Sequence, residues 1–536
     1  MFLGFDFDNT IANYELVFSE TAKIQNDIPK NWHGSKKDLK QYLLSCNGGE
    51  KTWMSIQGKV YGEFMHKAEL MDGFLEFLIN CKSHEIPVFI VSHKTRFGHF
   101  DSEKISLRNE ALKWMRKKKL FDKNLTTLDE KRVFFADTRK EKVKIISDLG
   151  CDYFIDDLQE VFQEPSFPPG TKKILLGDSS EADGSDLKTF KSWIEINSYL
   201  LGETDNKSLE KIVFAVTNKS PDSIKLIKGR GNSRVFKIEF GKDAFAMKIY
   251  PDKVYDNRPR LKTEFEALKL FQENSINNVP KPVFCNSDLN CGIYSWVDGK
   301  KIERITTRHI EKCVLFVRKL KALSDNNLKK INLASETCLS GQDLKRQIFK
   351  RLSKLQDLSN EIELDSFLKV SFVPLLERIM ENYFEKWPAS SKKKELCHSK
   401  MILSPSDFGL HNALENNNGR IIFLDFDYFG KDDPVKLAAD FYFHPGMKIS
   451  KTNKTYWLSE LTKIFGKEDK DFEGRLNFAL PMYGLRWILI ILNEFLSDVQ
   501  KRRKHAGLSG DFDLTTVKQT QLKKAQQLND YLENNY

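Results

Sequence analysis

Cysteine is scarce in this sequence and follows no pattern. The 536 residues contain 8 cysteines, and no two of them form a CxxC pair or a regular spacing that would indicate a zinc site or a disulfide framework. We therefore expect a reducing, cytoplasmic setting. The opening residues, MFLGFDFD, also lack the basic and apolar segments of a secretion signal.

Long hydrophobic runs are missing as well. The longest, WILIILNEFL from Trp487, follows Arg486 and is shorter than the roughly 20 residues that a membrane-spanning helix needs. We predict a buried helix there and no membrane span. The net charge of +10 favours contact with anions such as nucleotide phosphates or phosphorylated small molecules.

Short apolar runs alternate with helical patterns through the first 200 residues. The runs are FLGFDFD, PVFIVS, RVFFAD, DYFIDD and KKILLGD. This alternation predicts βα units around a parallel sheet, and hence an α/β Rossmann-like domain over residues 1–200. Several runs end in polar residues, at the edge where ligands of open α/β sheets bind.

Four of these polar groups occur in a meaningful order. They are an Asp-x-Asp-x-Thr sequence at Asp6, a serine after an apolar strand, a lysine in the helix RKEKVKII, and a paired aspartate after another strand. This ordered set resembles the haloacid dehalogenase-like (HAD) superfamily over about residues 1–200. The resemblance implies a phosphatase in which Asp6 attacks phosphorus and Asp8 acts as general acid and then base.

The resemblance also implies two sets of ligands. Hard oxygen ligands for Mg²⁺ are expected from Asp6, Asp8 (through its backbone carbonyl), and Asp156 or Asp157. Groups that neutralise the phosphoryl oxygens are expected at Thr10, Ser92 and Lys142. Lys140 and Lys144 remain alternatives to Lys142, because spacing alone does not decide among the three lysines of this helix.

A helical insert is predicted at about residues 15–80, between the first and second motifs. In the HAD superfamily an insert at this position is a small cap that closes over the phosphate and selects the substrate. Candidates to line such a cap are Trp32, His33, Trp53 and His66, although ordinary packing and surface roles remain open for each.

The pattern changes after a polar linker at residues 201–207. The stretch SIKLIKGRGNSRVFKIEFGKDAFAMKIY alternates strand-like runs around a glycine-rich turn. Gly229, Gly231 and Ser233 in that turn can approach nucleotide phosphates, and Lys248 on the following strand can reach them. The helix RLKTEFEALKLF offers Glu264 as an ion-pair partner for the lysine.

A later stretch supplies the groups for phosphoryl transfer. In LSPSDFGLHNALENNNGRIIFLDFD, Asp407 stands five residues before Asn412, and Asp425 ends an apolar strand. Asp407 can accept the proton of an acceptor hydroxyl, while Asn412 and Asp425 can bind Mg²⁺ that bridges the phosphates of ATP.

From about residue 208 onward, these motifs resemble the aminoglycoside phosphotransferase and choline kinase family. The resemblance implies a bilobal protein-kinase-like (α+β) domain with an N-lobe at about 208–298 and a C-lobe at about 299–536. One position departs from the family, because Pro405 stands where a histidine is common. A typical protein-kinase activation segment is also missing, which favours a small acceptor.

The two resemblances together predict a bifunctional enzyme with Mg²⁺ and ATP as cofactors. It would be a phosphatase and kinase acting on different positions or successive intermediates of a sugar or polyol phosphate, as in the synthesis of surface polysaccharide precursors. Two alternatives stay open: nucleic-acid end processing, and a regulatory protein with one inactive domain. The first is disfavoured because the chain lacks a GxxxxGK[ST] loop and a long basic stripe with interleaved aromatics. The oligomeric state is not predicted.

Overall fold

The structure is a computed structural model, and it describes residues 1–100, 103–177, 186–227, 233–358, 361–500 and 514–536. The N-terminal part contains a six-stranded sheet in which every pairing is parallel. Its spatial order is β5-β4-β1-β6-β7-β8. The strands of this part are β1 (Leu3–Phe5), β2 (Ala12–Asn13), β3 (Glu69–Leu70), β4 (Val88–His93), β5 (Val133–Ala136), β6 (Tyr153–Asp156), β7 (Lys172–Leu176) and β8 (Leu187–Phe190).

The centre of the sheet is buried on both faces, as expected for continuous apolar strands in a parallel sheet. All three residues of β1 are buried, and Gly4 permits close packing there, since a Cβ at this position would lie 2.6 Å from the Phe154 ring of β6. The helices of this part are α1 (Glu15–Ile24), α2 (Lys36–Leu44), α3 (Gly49–Tyr61), α4 (Phe74–Ser83), α5 (Leu107–Lys117), α6 (Arg139–Leu149), α7 (Gln159–Phe162), α8 (Trp193–Leu200) and α9 (Asn206–Thr217), with 3₁₀ turns at Met65–Lys67 and Glu130–Arg132.

Helices α1, α2 and α3 pack on one another and form an insert between β2 and β3, which pair with each other. Helix α4 lies instead against the sheet, where Phe74 and Phe77 contact the ring of Phe5 edge to face. The helical insert therefore ends before β3, earlier than the expected limit near residue 80, because the apolar face of α4 is needed to cover the sheet.

The C-terminal part begins with an antiparallel five-stranded sheet of order β12-β13-β11-β10-β9. Smaller sheets, β14-β16-β17 and β15-β18, lie further along the chain. The strands are β9 (Ser223–Leu226), β10 (Arg234–Phe240), β11 (Asp243–Ile249), β12 (Pro282–Asn286), β13 (Cys291–Ser295), β14 (Lys300–Lys301), β15 (Ile402–Ser404), β16 (Ala413–Glu415), β17 (Ile421–Phe423) and β18 (Gly430–Asp432).

The rest of this part is mainly helical and has its own large apolar core. The α-helices are α10 (Arg260–Glu273), α11 (Thr307–Asn327), α12 (Gly341–Gln356), α13 (Ile362–Phe367), α14 (Val373–Ile379), α15 (Ala389–Lys392), α16 (Pro434–Phe443), α17 (Lys451–Phe465), α18 (Phe472–Ile491) and α19 (Leu514–Asn535). Short 3₁₀ segments occur at Leu328–Lys330, His398–Lys400, Leu410–Asn412 and Leu492–Phe495, and π segments at Leu368–Phe372 and Met380–Phe384.

Helix α18 carries most of the longest apolar run. In the described residues, Phe472–Phe495 is the one helical segment long and apolar enough to cross a membrane, with a mean hydropathy of 1.3, yet 78% of that window is buried inside the protein. Arg486 within it makes a buried hydrogen bond to Asp440. The run behaves as a core helix, as the sequence predicts.

The two parts share apolar and ionic contacts. One apolar cluster includes Phe77 of α4, Ile212 of α9 and Met247 of β11. Beside it, the guanidinium of Arg234 donates to both carboxylate oxygens of Glu76, at 2.8 and 2.9 Å. The antiparallel sheet of the C-terminal part is thus packed against the N-terminal part rather than free of it.

Candidate active sites

The first site lies at the carboxyl edge of the parallel sheet. Asp6 follows β1, Asp156 ends β6 and Asp157 follows it, and β1 and β6 are neighbours in the sheet. Their carboxylate oxygens lie within 4.8 Å of one another. Lys142 of α6 places its Nζ 2.6 Å from both Asp6 Oδ1 and Asp156 Oδ2. We call these four residues the N-terminal acidic cluster.

The structure places only one of the three candidate lysines of α6 in this cluster. Lys142 is 1% exposed, whereas Lys140 and Lys144 are exposed on the outer face of the helix. The helix begins after Thr138, whose side chain accepts a hydrogen bond from the backbone N–H of Glu141, and its packing on β4 and β5 buries the face that carries Lys142.

The electrostatics of the cluster suit a divalent cation. Burial raises the pKa of Asp6 well above its usual value; Lys142 opposes this shift, and the neighbouring Asp156 and Asp157 add to it. Burial and the charge of Asp156 also raise the pKa of Asp157 to about 7. Three carboxylates facing one lysine carry excess negative charge, and carboxylate oxygens are the ligands that Mg²⁺ prefers. The donor set therefore fits this ion.

Asp8 is held by two side chains that the sequence analysis did not select. Lys94 Nζ lies 2.8 Å from each carboxylate oxygen of Asp8, and the Tyr14 hydroxyl donates to Asp8 Oδ1 at 2.5 Å. Lys94 stands two residues after Ser92, so strand alternation puts both side chains on the same side. The spacing of Ser92 and Lys94 in SHKT is a sequence signal that could have identified Lys94. No comparable sequence signal points to Tyr14.

Two hydroxyls complete this site. Ser92 is 1% exposed, and in the part of the chain that the structure describes its Oγ has no hydrogen-bond partner. A buried hydroxyl without a partner is costly unless a ligand satisfies it. Thr10 is fully buried, with its Oγ1 3.4 Å from Asp157 Oδ1. Both hydroxyls can donate to a ligand bound at the sheet edge.

The helical insert contacts the loop after β1, which contains Asp8 and Asn9. Lys36 of α2 donates to Asn9 Oδ1 at 2.7 Å; burial lowers its pKa, and Asp157 and Asp8 oppose that shift. Trp32 packs on Tyr42 and Trp53 stacks on Phe18. The remaining candidates, His33 and His66, are exposed. Lys36, rather than either of the two histidines, is therefore an insert residue that the structure brings close to the acidic groups.

The second site joins the antiparallel sheet, α10 and the loop after β17. Lys248 Nζ lies 2.6 Å from Glu264 Oε2, 2.7 Å from Asp425 Oδ1 and 3.9 Å from Asp427 Oδ2. Although burial opposes it, the charges of Asp425 and Glu264 raise the pKa of Lys248 well above its usual value. We call these four residues the C-terminal acidic cluster.

Two members of this cluster have further partners that fix them. Glu264 Oε2 also accepts from the Tyr250 hydroxyl at 2.6 Å. Asp427 accepts from Arg260 at 2.5 Å, and burial and Asp425 raise the pKa of Asp427 to about 7. Asp425, with its side chain 41% exposed, is the carboxylate of the cluster most open to a ligand.

Asp407 follows β15 and lies beside Asn412 and two histidines. Asn412 Nδ2 donates to the backbone carbonyl of Asp407 at 3.1 Å and to its Oδ2 at 3.3 Å. His411 Nε2 and His444 Nε2 lie 3.1 and 3.5 Å from Asp407 Oδ1. Despite the loss of hydration, which acts in the opposite direction, these histidines and Asn412 hold the pKa of Asp407 well below its usual range.

The glycine-rich turn is only partly described. Gly229 and Gly231 lie outside the described residues, between β9 and β10. Ser233 lies directly before β10. Among the predicted residues of the second site, Lys248, Glu264 and Asp425 are in direct contact, and Asn412 contacts Asp407.

A family comparison bears on this second site. Residues 223–443 match the model of the phosphotransferase enzyme family, abbreviated APH. This match includes Lys248, Glu264, Asp407, Asn412 and Asp425, and it confirms the expected phosphotransferase domain in this part of the chain. A comparison with curated protein sequences finds no match.

Solved structures of low sequence identity also align with this chain. Spectinomycin phosphotransferase, solved with ADP and spectinomycin, is 14% identical with a TM-score of 0.44, covering 61% of this chain and 98% of that one. Choline kinase LicA from Streptococcus pneumoniae is 13% identical with a TM-score of 0.38, covering 60% and 99%. The Plasmodium vivax ethanolamine kinase is 16% identical with a TM-score of 0.39, covering 62% and 92%. These identities are too low to assign a substrate.

Proposed function

We propose that this chain, whose residues 223–443 form a phosphotransferase domain, is a bifunctional enzyme that transfers phosphate from ATP to a small-molecule hydroxyl and hydrolyses a small-molecule phosphate at its N-terminal part. The domains proposed are 1–200, a HAD-like phosphatase, and 208–536, the kinase. The observation that carries the proposal is that the chain holds two acidic clusters, each built around one lysine that contacts two of its carboxylates and each accompanied by a further aspartate, Asp8 or Asp407.

In the proposed phosphatase reaction, a carboxylate oxygen of Asp6 attacks the substrate phosphorus and forms an aspartyl phosphate. Asp8 gives a proton to the leaving alcohol and then takes one from the water that cleaves the intermediate. Lys142, Thr10 and Ser92 donate to the phosphoryl oxygens, where negative charge increases in the transition state. Mg²⁺ held by Asp6, the Asp8 carbonyl, Asp156 and Asp157 would neutralise charge on the phosphoryl group.

In the proposed kinase reaction, Asp407 accepts the proton of the acceptor hydroxyl as its oxygen attacks the γ-phosphorus of ATP. Lys248, held by Glu264, binds the phosphates on the donor side. Asn412 uses its Nδ2 to hold Asp407, so its Oδ1 is the atom that can join Asp425 as a ligand. Mg²⁺ bound there would offset the negative charge of the phosphates.

If the kinase and the phosphatase acted on the same phosphate group, the net reaction would only be hydrolysis of ATP. We therefore propose that they act on different positions or successive intermediates. A sugar or polyol phosphate would be phosphorylated at a second hydroxyl and would then lose its first phosphate. The lysines and hydroxyl groups around the two sites suit phosphorylated substrates, and the choice of a sugar or polyol follows from family analogy.

The test is a paired screen on the full chain with Mg²⁺. Phosphate release is measured over a panel of sugar and polyol phosphates, and ADP release is measured with ATP over the same compounds and their unphosphorylated forms. The matched variants are Asp6→Asn and Asp407→Asn. We expect the first to lose phosphate release only and the second to lose acceptor-dependent ADP release only.

Three outcomes would contradict the proposal in different ways. Phosphate release that persists in Asp6→Asn would show that Asp6 is not the nucleophile. Loss of both activities in either variant would indicate one shared site. Failure of the parent protein to release phosphate from any compound, with ADP release intact, would favour a regulatory N-terminal part.

A further inference from the structure

The segment before Asp407 raises a structural question. Pro405 has no polar side-chain atom with which to fix this segment, so another group must hold it in place. Ser406, the residue next to Asp407, has a φ of 66°, in the left-handed region that side chains other than glycine seldom adopt. Such a conformation persists only where the surroundings hold it.

Helix α16 supplies those surroundings. Lys436, Asp440 and the C-cap residue His444 are spaced four residues apart, so they lie along one face of the helix. Lys436 is 1% exposed, and its Nζ donates to Ser406 Oγ at 2.7 Å. A buried ammonium group thus ends on the hydroxyl adjacent to Asp407.

The charge of Lys436 is compensated within the core. Its Nζ lies 3.1 Å from Asp432 Oδ2 and 3.3 Å from Asp440 Oδ2. Asp440 Oδ1 in turn accepts from Arg486 and from Trp487 Nε1 of α18, both at 2.9 Å. Each buried charge on this helix face thus has partners, and those of Asp440 connect the face to α18.

The other end of the same face reaches Asp407 itself. His444 Nδ1 accepts from the Gly446 N–H at 3.1 Å, so the proton of a neutral ring is on Nε2, 3.5 Å from Asp407 Oδ1. Burial, with a smaller contribution from His411, lowers the pKa of His444 to about 4, which keeps the ring neutral. His444 therefore presents an N–H to the carboxylate.

The stacking of the histidines argues against a metal site here. The rings of His411 and His444 lie 3.5 Å apart at 11°, and Trp487 packs edge-on against His444 at 4.8 Å. Two parallel stacked rings cannot both direct their in-plane lone pairs at one ion. The arrangement is suited to hydrogen bonding with Asp407.

We propose that Lys436 and His444 are positioning residues for Asp407: Lys436 fixes the preceding backbone through Ser406, and His444 orients the carboxylate. This inference rests on the proposed role of Asp407 in the kinase reaction.

The contact is tested without activity by nitrogen-15 spectra of the histidine rings in the full chain. We expect His444 to carry its proton on Nε2 at neutral pH, and its ring signals to shift in Asp407→Asn. A proton on Nδ1, or ring signals unchanged by Asp407→Asn, would overturn the His444 half of the proposal. His398→Ala, which removes an exposed histidine, assigns one signal and serves as the control.

The consequence is tested by ATP turnover with water as acceptor, and with any acceptor that the screen finds. His444→Ala and Ser406→Ala should lower kcat by up to about 10²-fold, the scale of a misplaced reacting group, with KM for ATP unchanged. His444→Gln, which keeps an N–H at similar reach, should recover part of the rate. Ser406→Ala is used because Lys436→Met removes the buried cation that Asp432 and Asp440 share and risks unfolding.

The outcomes separate this inference from the proposed function. Equal rates in Ser406→Ala and the parent would overturn the Lys436 half, and equal rates in His444→Ala and His444→Gln would overturn the His444 half. A parent protein that makes no ADP under any condition counts against the kinase function instead, and the ring spectra then still decide whether His444 contacts Asp407.

Discussion

The two acidic clusters have similar chemistry but different surroundings. Each places three carboxylates and one lysine together, yet the N-terminal acidic cluster is built at one sheet edge, with Lys142 and Asp6 side chains 2% and 8% exposed. The C-terminal acidic cluster combines a sheet, a helix and a loop, and its Asp425 side chain is 41% exposed. A buried rigid site suits a carboxylate that forms a covalent bond, whereas an open one suits nucleotide exchange.

The accompanying aspartates differ in the same way. Asp8 is paired with the ammonium group of Lys94, while Asp407 is flanked by Asn412 and two imidazoles. Asp8 must both give and take a proton in the proposed cycle, and Asp407 only takes one. The comparison predicts that a substitution at the N-terminal site can stop the reaction after its first chemical step and leave a trapped phosphoenzyme. At the C-terminal site, different substitutions should impair nucleotide binding and phosphoryl transfer separately.

The largest expected effect comes from Asp8→Asn. Loss of the acid and base should lower phosphate release by about 10²–10⁴-fold, while Asp6 can still attack a substrate with a good leaving group. Phosphoenzyme should then accumulate, detected by the intact mass of acid-quenched protein. Full turnover, or no phosphoenzyme from an activated aryl phosphate, would contradict the assigned role.

A smaller effect is expected from Asp425→Asn. Removing the charge of the proposed metal ligand should weaken Mg²⁺-dependent ADP binding by about 10–100-fold, the range seen when the surroundings of a metal are altered. Binding without metal should change little, as calorimetry with and without Mg²⁺ can show. The control is Asp407→Asn, which should bind ADP like the parent. Equal weakening of ADP binding in both variants would contradict the separate roles of Asp425 as metal ligand and Asp407 as base.

The parallel sheet was predictable because its central strands are continuous apolar runs that end in polar residues. The phosphotransferase domain was predictable because Lys248, Asp407, Asn412 and Asp425 keep a recognisable order, and the family match agrees. Strand β8 was missed, since LKTF is short and only its Leu187 is buried.

Long-range geometry could not be read from the sequence. The choice among the lysines of α6 depends on how the helix is rotated against the sheet, which tertiary packing decides. His444 lies 37 positions after Asp407 in the chain, at a helix end, with no local pattern that links it to the segment around Asp407. The N-terminal phosphatase remains a proposal supported by the arrangement of Asp6, Lys142 and Asp156.

Lys94→Met sharpens the comparison of the two aspartates. Without the ammonium group, the half-buried Asp8 loses its cationic partner and a fixed orientation, and we expect phosphate release to fall about tenfold, or 1.4 kcal/mol of transition-state stabilisation. The matched control is Lys140→Met on the exposed face of α6, which should behave like the parent. Both are compared by steady-state phosphate release and by thermal unfolding, and equal rates in the two variants would leave Lys94 with a packing role only.

The smallest effect concerns Asp252, which follows β11 where the two parts meet. Burial, with added repulsion from Asp72 and Glu195 of the N-terminal part, raises its pKa to about 7. Below about pH 4 the carboxyl group of Asp252 is protonated in both the folded and the unfolded chain. Between about pH 4 and 7 only the folded chain keeps the proton. The contribution of Asp252 to the stability of the folded protein therefore falls as the pH rises and is lost above about pH 7. Asp252→Asn, which keeps an oxygen for the Val254 N–H, should therefore gain about 1 kcal/mol in free energy of unfolding at pH 8, a typical size for one substitution, and almost nothing at pH 4. Urea unfolding of both proteins across this range measures the difference. A gain that is independent of pH would mean that Asp252 is ionised in the folded protein throughout this pH range. Burial between the two parts would then not disfavour its charged form.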